Sequence, residues 1–131
     1  MLSIRSTSSH REVILSQHRD EYFRVELKGF EVSAATSVWA YTDANGLNRF
    51  FQELASFSKP WQGQRSWASI EQDFSLSATC TSLGSVTFRL ELHGLQGAPE
   101  EWRVEAGLVT DFGQLEQIAK NAGAFFNASG T

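Results

Sequence analysis

The sequence has too few cysteines for a disulfide or a thiolate metal site, and it lacks a long apolar run that could span a membrane. It has one cysteine, two prolines and no apolar run approaching the ~18–20 residues needed to cross a bilayer. Cys80 alone can form neither an internal disulfide nor a thiolate metal site. Residues 1–5 lack the apolar core of a secretory signal, so we expect a soluble, cytoplasmic protein.

Glycine-rich phosphate loops are missing as well. No G-x-S-x-G, P-loop or G-x-G-x-x-G spacing occurs, which argues against nucleotide hydrolysis and hydride transfer. The charge balance is acidic, because 11 basic and 15 acidic residues give a formal net charge of −4. We therefore expect no nucleic-acid partner and no membrane partner, although a local basic patch is compatible with this balance.

Apolar side chains are plentiful enough for a packed core. The chain has 131 residues, of which 41% are hydrophobic, with ten phenylalanines and four tryptophans. A chain of this length buries roughly two-thirds of its unfolded surface and needs no metal or disulfide to fold. We expect a single domain over residues 1–131.

Strict alternation of apolar and polar residues predicts β-strands that are covered on one face. The pattern is strongest in residues 23–27, 74–80, 86–92 and 102–108, and weaker in 2–7, 12–18 and 31–41. One wet face is typical of antiparallel sheets. The pattern therefore predicts an α+β fold with an antiparallel, strongly twisted sheet of about six to seven strands in two meanders.

Charge also predicts strand register. A hairpin of 85–93 with 101–109 around Gly97 places two pairs of opposite charges across from each other, Arg89 with Glu105 and Glu91 with Arg103.

A second hairpin is predicted in the first half of the chain. A turn at residues 19–21 pairs Leu15 with Val25 and Glu12 with Lys28.

Two segments change to helical periodicity, at about residues 43–57 and 112–126. Their apolar stripes are Leu47, Phe50, Phe51, Leu54, Ala55 and Leu115, Ile118, Ala119, Ala122, Phe126. Asp43 is a candidate N-cap, and Asp111 with Gln114 has the spacing of a capping box. We expect both amphipathic helices on the apolar side of the sheet; the alternative is two half-barrels, each closed by one helix.

Isolated titratable residues give little sign of catalysis. His10, His18 and His93 lack metal-ligand spacing, and we expect all three to be solvated. Cys80 lies on the apolar side of its strand and is expected to be a core residue. No catalytic residue, metal ligand or cofactor is predicted.

Glu71 and Asp73 are the best candidates for a carboxylate pair. Two residues apart on a strand, their side chains emerge on one face, about 7 Å apart. Such a pair can act in acid–base chemistry or hold a divalent cation, but it equally serves to keep a wet sheet face soluble.

The segment from Lys59 to Trp67 concentrates aromatic and cationic residues. Trp61, Arg65 and Trp67 are candidate binding residues, together with Glu71 and Asp73, because Trp and Arg are favoured at recognition surfaces. The alternative is that both indoles close one end of the core.

An ordered set of residues between Trp39 and Phe126 resembles a known family. The elements are G-L-x-x-F-F from Gly46, W-x-S-x-E from Trp67 and G-Q-L-E-x-I-A from Gly113. The chain is similar to a family of small bacterial, mainly actinobacterial, proteins classed as a domain of unknown function. The resemblance implies a fold and a bacterial origin, and it implies no activity.

Three functions are compatible with the sequence. The first is a non-enzymatic protein-binding domain, antitoxin- or immunity-like or regulatory, whose acidic surface would attract a basic partner. The second is a small-ligand binder with an aromatic-lined site at Trp61 and Trp67. The third is a carboxylate- or metal-dependent enzyme using Glu71 and Asp73. A homodimer formed through the edge strand at 2–7 or at 31–41 is a separate alternative.

Overall fold

The computed structural model describes residues 1–19, 21–40 and 44–128, and its strands form two antiparallel sheets of four. The first sheet has the order β1-β2-β3-β4, with β1 Leu2–Arg5, β2 Glu12–Arg19, β3 Tyr22–Lys28 and β4 Ala34–Trp39. The second has the order β5-β6-β7-β8, with β5 Arg65–Ala68, β6 Phe74–Cys80, β7 Ser85–Gly94 and β8 Trp102–Asp111. The α+β class and the two meanders are confirmed. The expectation of one sheet of six to seven strands is wrong, because each meander forms a separate sheet of four strands.

The same unit occurs twice along the chain. The first meander is followed by helix α1, Ala44–Ser56, and the second by a short 3-10 turn, Phe112–Gln114, and helix α2, Leu115–Ala128. Each half is therefore a four-stranded meander followed by a helix. No repeat of residues accompanies this repeat of structure.

Both sheets and both helices bury their apolar faces in one core. The largest fully buried side chains come from both halves: Phe23, Phe51, Phe74, Phe88, Leu2, Leu15, Leu27, Leu47, Leu54, Leu90, Leu92 and Leu108. The predicted helical stripes are buried as expected, with Ala55 packed at the margin. Burying one side chain of this size contributes about 1.5–3 kcal/mol, so the shared core holds the two halves together.

Polar contacts join the halves at the margin of the core. The Thr7 backbone N–H donates to the Val109 carbonyl at 2.8 Å, and Arg11 Nη1 donates to the Gly107 carbonyl at 2.8 Å. These bonds cover the outer edge of β8 with the loop between β1 and β2. Between the helices, Gln52 Nε2 donates to the Ala119 carbonyl at 2.7 Å.

The predicted register of β2 with β3 is confirmed. Leu15 lies opposite Val25 and Glu12 lies opposite Lys28. Beyond Ser16 the register shifts, and one additional residue on β2 forms a bulge. Within this bulge Gln17 adopts a left-handed conformation, with φ +53°.

The predicted register of β7 with β8 is wrong by two residues. Glu105 lies opposite Glu91, and Arg103 lies opposite His93. Two consecutive turns cause the shift, because Ala98 N–H bonds to the Leu95 carbonyl and Glu101 N–H to the Ala98 carbonyl. A shift of two keeps each side chain on its predicted face, since the pleat has a period of two.

The helix starts agree only in part with the predicted caps. Asp111 precedes the 3-10 turn, but its side chain makes no capping hydrogen bond. Asp43 lies outside the described residues. Neither helix within the described ranges is long and apolar enough to span a membrane.

Gly94 is required by the packing of the β7–β8 hairpin. A Cβ atom there would lie 2.2 Å from Cε2 of Trp102, whose ring covers the backbone of β7. We expect Gly94→Ala to lower the free energy of unfolding by about 1–3 kcal/mol, because an added methyl group forces the ring to move. Urea denaturation measures this change.

Gly107→Ala is the matched control, because a Cβ at Gly107 meets only atoms at 3.7 Å or beyond. Equal losses of stability in the two variants would show that the strand glycines matter for a reason other than the Trp102 ring.

Candidate functional site

The outer face of the second sheet is an open groove. Small side chains on β5 and β6 lie beside long charged side chains on β7 and β8, and this difference in height makes a depression of about 370 Å³. An adjoining hollow of about 240 Å³ shares Ala68, Ser75 and Glu91 with it. We call the two together the sheet groove.

Two ion pairs cross the sheet groove between β7 and β8. Arg89 Nε lies 3.8 Å from Glu105 Oε1, and Arg103 Nη1 lies 3.3 Å from Glu91 Oε1. The predicted charge partners are therefore in contact, but as diagonal neighbours two residues apart in register, and not as directly opposite residues. Long side chains can span this distance. Two cations balance two anions, so this part of the surface is neutral.

Two adjacent turns raise apolar side chains at one end of the groove. Ile70 is 50% exposed in the β5–β6 turn, and Leu95 is 58% exposed in the β7–β8 turn. Gln96 Nε2 donates to the Glu71 carbonyl at 3.0 Å and ties the two turns together. We call Ile70 and Leu95 the apolar lip.

Left-handed backbone accompanies the apolar lip in both turns. Gln72 has φ +58° and Leu95 has φ +52°, a conformation that costs a non-glycine residue about 1–2 kcal/mol. Such outliers cluster at functional sites, where the surrounding structure holds them in place. The backbone of Leu95 is therefore held in a costly conformation by the rest of the β7–β8 turn.

A buried histidine supports the β7–β8 turn. His93 is 6% exposed, its ring Nε2 pairs with the Glu101 carboxylate, and its backbone N–H bonds to the Asp73 carbonyl at 3.0 Å. The hydrogen bond from His93 holds the pKa of Glu101 below its usual value of 4.5. The prediction that His93 is solvated is wrong, because this carboxylate gives the ring a partner under the turn.

The lowered pKa of Glu101 predicts a pH dependence of stability. A carboxyl group whose pKa is lower in the folded state stabilises the fold above its unfolded pKa and loses that effect as the pH falls through the folded value. We expect wild type to melt above Glu101→Gln at pH 6 and the gap to close under acid conditions. Thermal melts between pH 3 and 7 measure this.

Glu100→Gln, one residue earlier, is the control and leaves the melting temperature within experimental error across that range. A gap between wild type and Glu101→Gln that persists unchanged in acid would contradict the role of the His93–Glu101 hydrogen bond.

The candidate tryptophans lie mainly inside the protein. Trp61 is 5% exposed and stacks on Phe57 with ring centroids 5.4 Å apart. Its indole N–H has no acceptor among the described residues. Trp67 is half-buried on the core side of β5, edge-on to Phe74 at 5.6 Å, and it lines one wall of the groove.

Arg65 does not join the sheet groove. Its Nη1 lies 3.2 Å from Glu53 Oε1 of α1, and its guanidinium lies 5.2 Å above the Phe57 ring. Both contacts turn the side chain toward the helix side of β5.

The predicted carboxylate pair is not formed. Glu71 and Asp73 lie in the β5–β6 turn, closed by the Gln72 N–H bond to the Ser69 carbonyl at 2.9 Å, and the expectation of a strand there is wrong. Glu71 is exposed at the hollow, whereas Asp73 is 8% exposed and accepts the Ser69 hydroxyl. Across the described residues, no group of three or more His, Cys, Asp or Glu side chains is placed to hold a metal ion.

Ser69 and Asp73 form a buried bond that shapes the turn below the apolar lip. The Ser69 hydroxyl donates to Asp73 and accepts the Phe74 N–H at 3.2 Å. We expect Ser69→Ala to lower the free energy of unfolding by about 1–3 kcal/mol, because it leaves a buried carboxylate without its donor. Chemical denaturation measures the loss.

Ser75→Ala removes a hydroxyl that makes no hydrogen bond within the described residues, and it should change stability by less than about 0.5 kcal/mol. An equal loss of free energy of unfolding in both variants would contradict the role assigned to the Ser69–Asp73 hydrogen bond.

The remaining singled-out residues occupy structural positions. His18 is half-buried and stacks on Phe125 at 5.4 Å, so the expectation that it is solvated is wrong. His10 is exposed and tilts against Phe30 at 4.5 Å. Cys80 is packed against the core, and burial raises the pKa of its thiol, which disfavours the reactive thiolate form.

Sequence patterns alone did not identify the apolar lip. Ile70 and Leu95 are single apolar residues in turns, and nothing in their spacing distinguishes an exposed side chain from a buried one. The available signal was Leu95 beside Gly94 and two residues before Gly97, a context in which a bulky side chain is unusual for a turn.

A family model covers nearly the whole chain. The match runs over residues 5–129, and its description is "Family of unknown function (DUF6228)". The chain belongs to this family. Comparison with curated proteins gave no match. Family membership supports the resemblance noted in the sequence and supplies no activity, so the functional argument depends on the surface.

Proposed function

We propose that this protein is a non-enzymatic protein-binding domain that contacts its partner through the apolar lip and the sheet groove. The observation that carries the proposal is the pair of exposed apolar side chains, Ile70 and Leu95, on two turns joined by the Gln96–Glu71 bond. Neighbouring exposed apolar side chains are typical of interaction sites, and left-handed residues such as Gln72 and Leu95 are typical of functional turns.

The groove next to the lip suits a protein surface better than a small molecule. It is shallow and open, and its charges are already paired across β7 and β8. Paired rim charges contribute specificity and little affinity, while buried apolar anchors supply most of the binding energy. An interface of this kind places Ile70 and Leu95 at its centre and the ion pairs at its rim.

The net charge of −4 favours a partner with a basic surface, because opposite charges raise association rates. An antitoxin- or immunity-like inhibitor or a regulatory subunit fits this description. The single cysteine agrees with a cytoplasmic location, and the family resemblance with a bacterial source.

The other two functions have weaker support. An aromatic-lined ligand site needs an accessible Trp61, whose ring is 5% exposed in the core. A carboxylate enzyme needs Glu71 and Asp73 to face one another, whereas Asp73 is buried against Ser69.

The test is a reconstituted complex. Tagged full-length protein is used as bait in a lysate of its source organism at moderate salt, and a stoichiometric partner is identified and purified. We expect the double variant Ile70→Asp/Leu95→Asp to weaken binding to that partner by about 100-fold or more, because hot-spot side chains contribute about 2 kcal/mol or more each. Calorimetric titration measures the affinity.

Leu83→Asp is the matched control, because Leu83 is 96% exposed in the β6–β7 turn, at the opposite end of the sheet. It should bind as wild type does. Unchanged affinity of the double variant, or the absence of any stoichiometric partner across a range of salt, would overturn the proposal.

A further inference from the structure

The arginines of the protein are not all used in the same way. Of the eight in the sequence, Arg5, Arg65, Arg89 and Arg103 contact carboxylates, Arg11 bonds to the Gly107 carbonyl, and Arg49 also has a partner. The side chains of Arg19 and Arg24 have no hydrogen-bond or ion-pair partner among residues 1–19, 21–40 and 44–128. Both are exposed, and both line the same depression.

That depression lies on the outer face of the first sheet. It has a volume of about 450 Å³, and its other walls come from Gln17, Tyr22, Phe23 and Ser37. Arg24 on β3 lies between Ser16 on β2 and Ser37 on β4. Arg19, Arg24 and Ser37 therefore line one depression, with Ser16 directly across from Arg24 on β2. We call this surface the arginine pocket.

The β2 bulge is what brings Arg19 to this face. Val13 and Leu15 point into the core, so an uninterrupted strand would also turn Arg19 inward. The additional residue at Gln17 reverses the alternation, because it places His18 against Phe125 and leaves Arg19 outside, opposite Tyr22. Bulges of this kind re-aim side chains near functional sites.

An aromatic wall borders the two arginines. Tyr22 is 50% exposed and lies directly across from Trp39, whose indole Nε1 donates to Glu21 Oε2 at 3.3 Å. This bond gives the Glu21 carboxylate a partner other than an arginine. The next carboxylate along β3 on the same face is Glu26, two residues from Arg24 and about 7 Å along the strand.

We propose that the arginine pocket binds a small phosphate monoester whose organic part carries a planar ring. Each guanidinium presents parallel N–H donors that match two oxygens of one anion. One arginine suffices for a carboxylate, while two arginines that line one depression match the charge and the three terminal oxygens of a phosphate monoester. The exposed Tyr22 ring supplies a face on which the planar group of the ester can stack.

This site is separate from the apolar lip and the sheet groove, which lie on the other sheet. The test of the arginine pocket is therefore independent of the test of protein binding, and the two tests share no variant.

The experiment compares four probes by calorimetric titration of the full-length protein at low ionic strength, where charge screening is weak. The probes are phenyl phosphate, inorganic phosphate, benzoate and phenol. Phenyl phosphate should bind most tightly, inorganic phosphate at least several-fold more weakly, and benzoate more weakly still; phenol should give no measurable heat.

Arg24→Gln and Arg19→Gln should each lower the affinity for phenyl phosphate about tenfold or more, because each removes charge-assisted hydrogen bonds. Lys120→Gln is the control, since it removes an equal charge from an exposed position on α2, outside both proposed sites, and should leave the affinity unchanged within about twofold. Circular dichroism verifies that the variants are folded, as expected for exposed positions.

Three results would overturn the proposal. They are no binding of phenyl phosphate by the folded wild type, equal binding of benzoate and phenyl phosphate, and an equal loss of affinity in Lys120→Gln. Equal binding of inorganic and phenyl phosphate would contradict the part of the proposal that assigns a planar ring to Tyr22.

Discussion

The alternation of the pleat, combined with a core shared by both halves, is the constraint on which the rest of the structure depends. Each strand turns every second side chain into that core, and the helical stripes of α1 and α2 are buried in the same place. Because the inner positions are committed to packing, only the outer faces and the turns are available for recognition. Both surfaces that we propose as functional lie on those outer faces.

Departures from the alternation show how strictly it is kept. The β7–β8 pairing differs from the charge-based expectation by two residues, and every side chain still faces the predicted way. A change of one residue occurs at Gln17, where the bulge exchanges the faces of His18 and Arg19. A register shift of two residues thus leaves the core side chains in place. A shift of one residue reverses the faces, and here it is accommodated by the left-handed Gln17 and the packing of His18 on Phe125.

Much of the fold was predictable because local patterns and the core agree. Alternation located seven of the eight strands, and the short turn before Tyr22 fixed the β2–β3 register. β5 was missed because its four residues include a single large apolar side chain, Trp67. The β7–β8 register depends on the two consecutive turns between Leu95 and Glu101, which neither charge nor periodicity predicts.

The site was less predictable because residue type does not determine whether a side chain faces the core or the solvent. Trp61 and Trp67 have equal claims as recognition residues in the sequence, yet the first is stacked in the core and the second lies at the groove wall. His93 occupies a position of β7 that alternation assigns to the polar face, but the turn after β7 brings Glu101 back against its ring. Burial of this kind follows from loop conformation, which local sequence specifies least.

The two outer faces differ in how they use charge, and that difference separates their ligands. On the second sheet, Arg89 and Arg103 are neutralised by Glu105 and Glu91, so little field extends from the groove and the neighbouring apolar lip must supply the affinity. On the first, Arg19 and Arg24 keep their charge within a protein of net charge −4. Self-repulsion between two nearby cations is retained in a folded protein most readily when an anion relieves it. A surface with paired charges therefore suits a broad partner, and a pocket with unpaired arginines suits a compact anion.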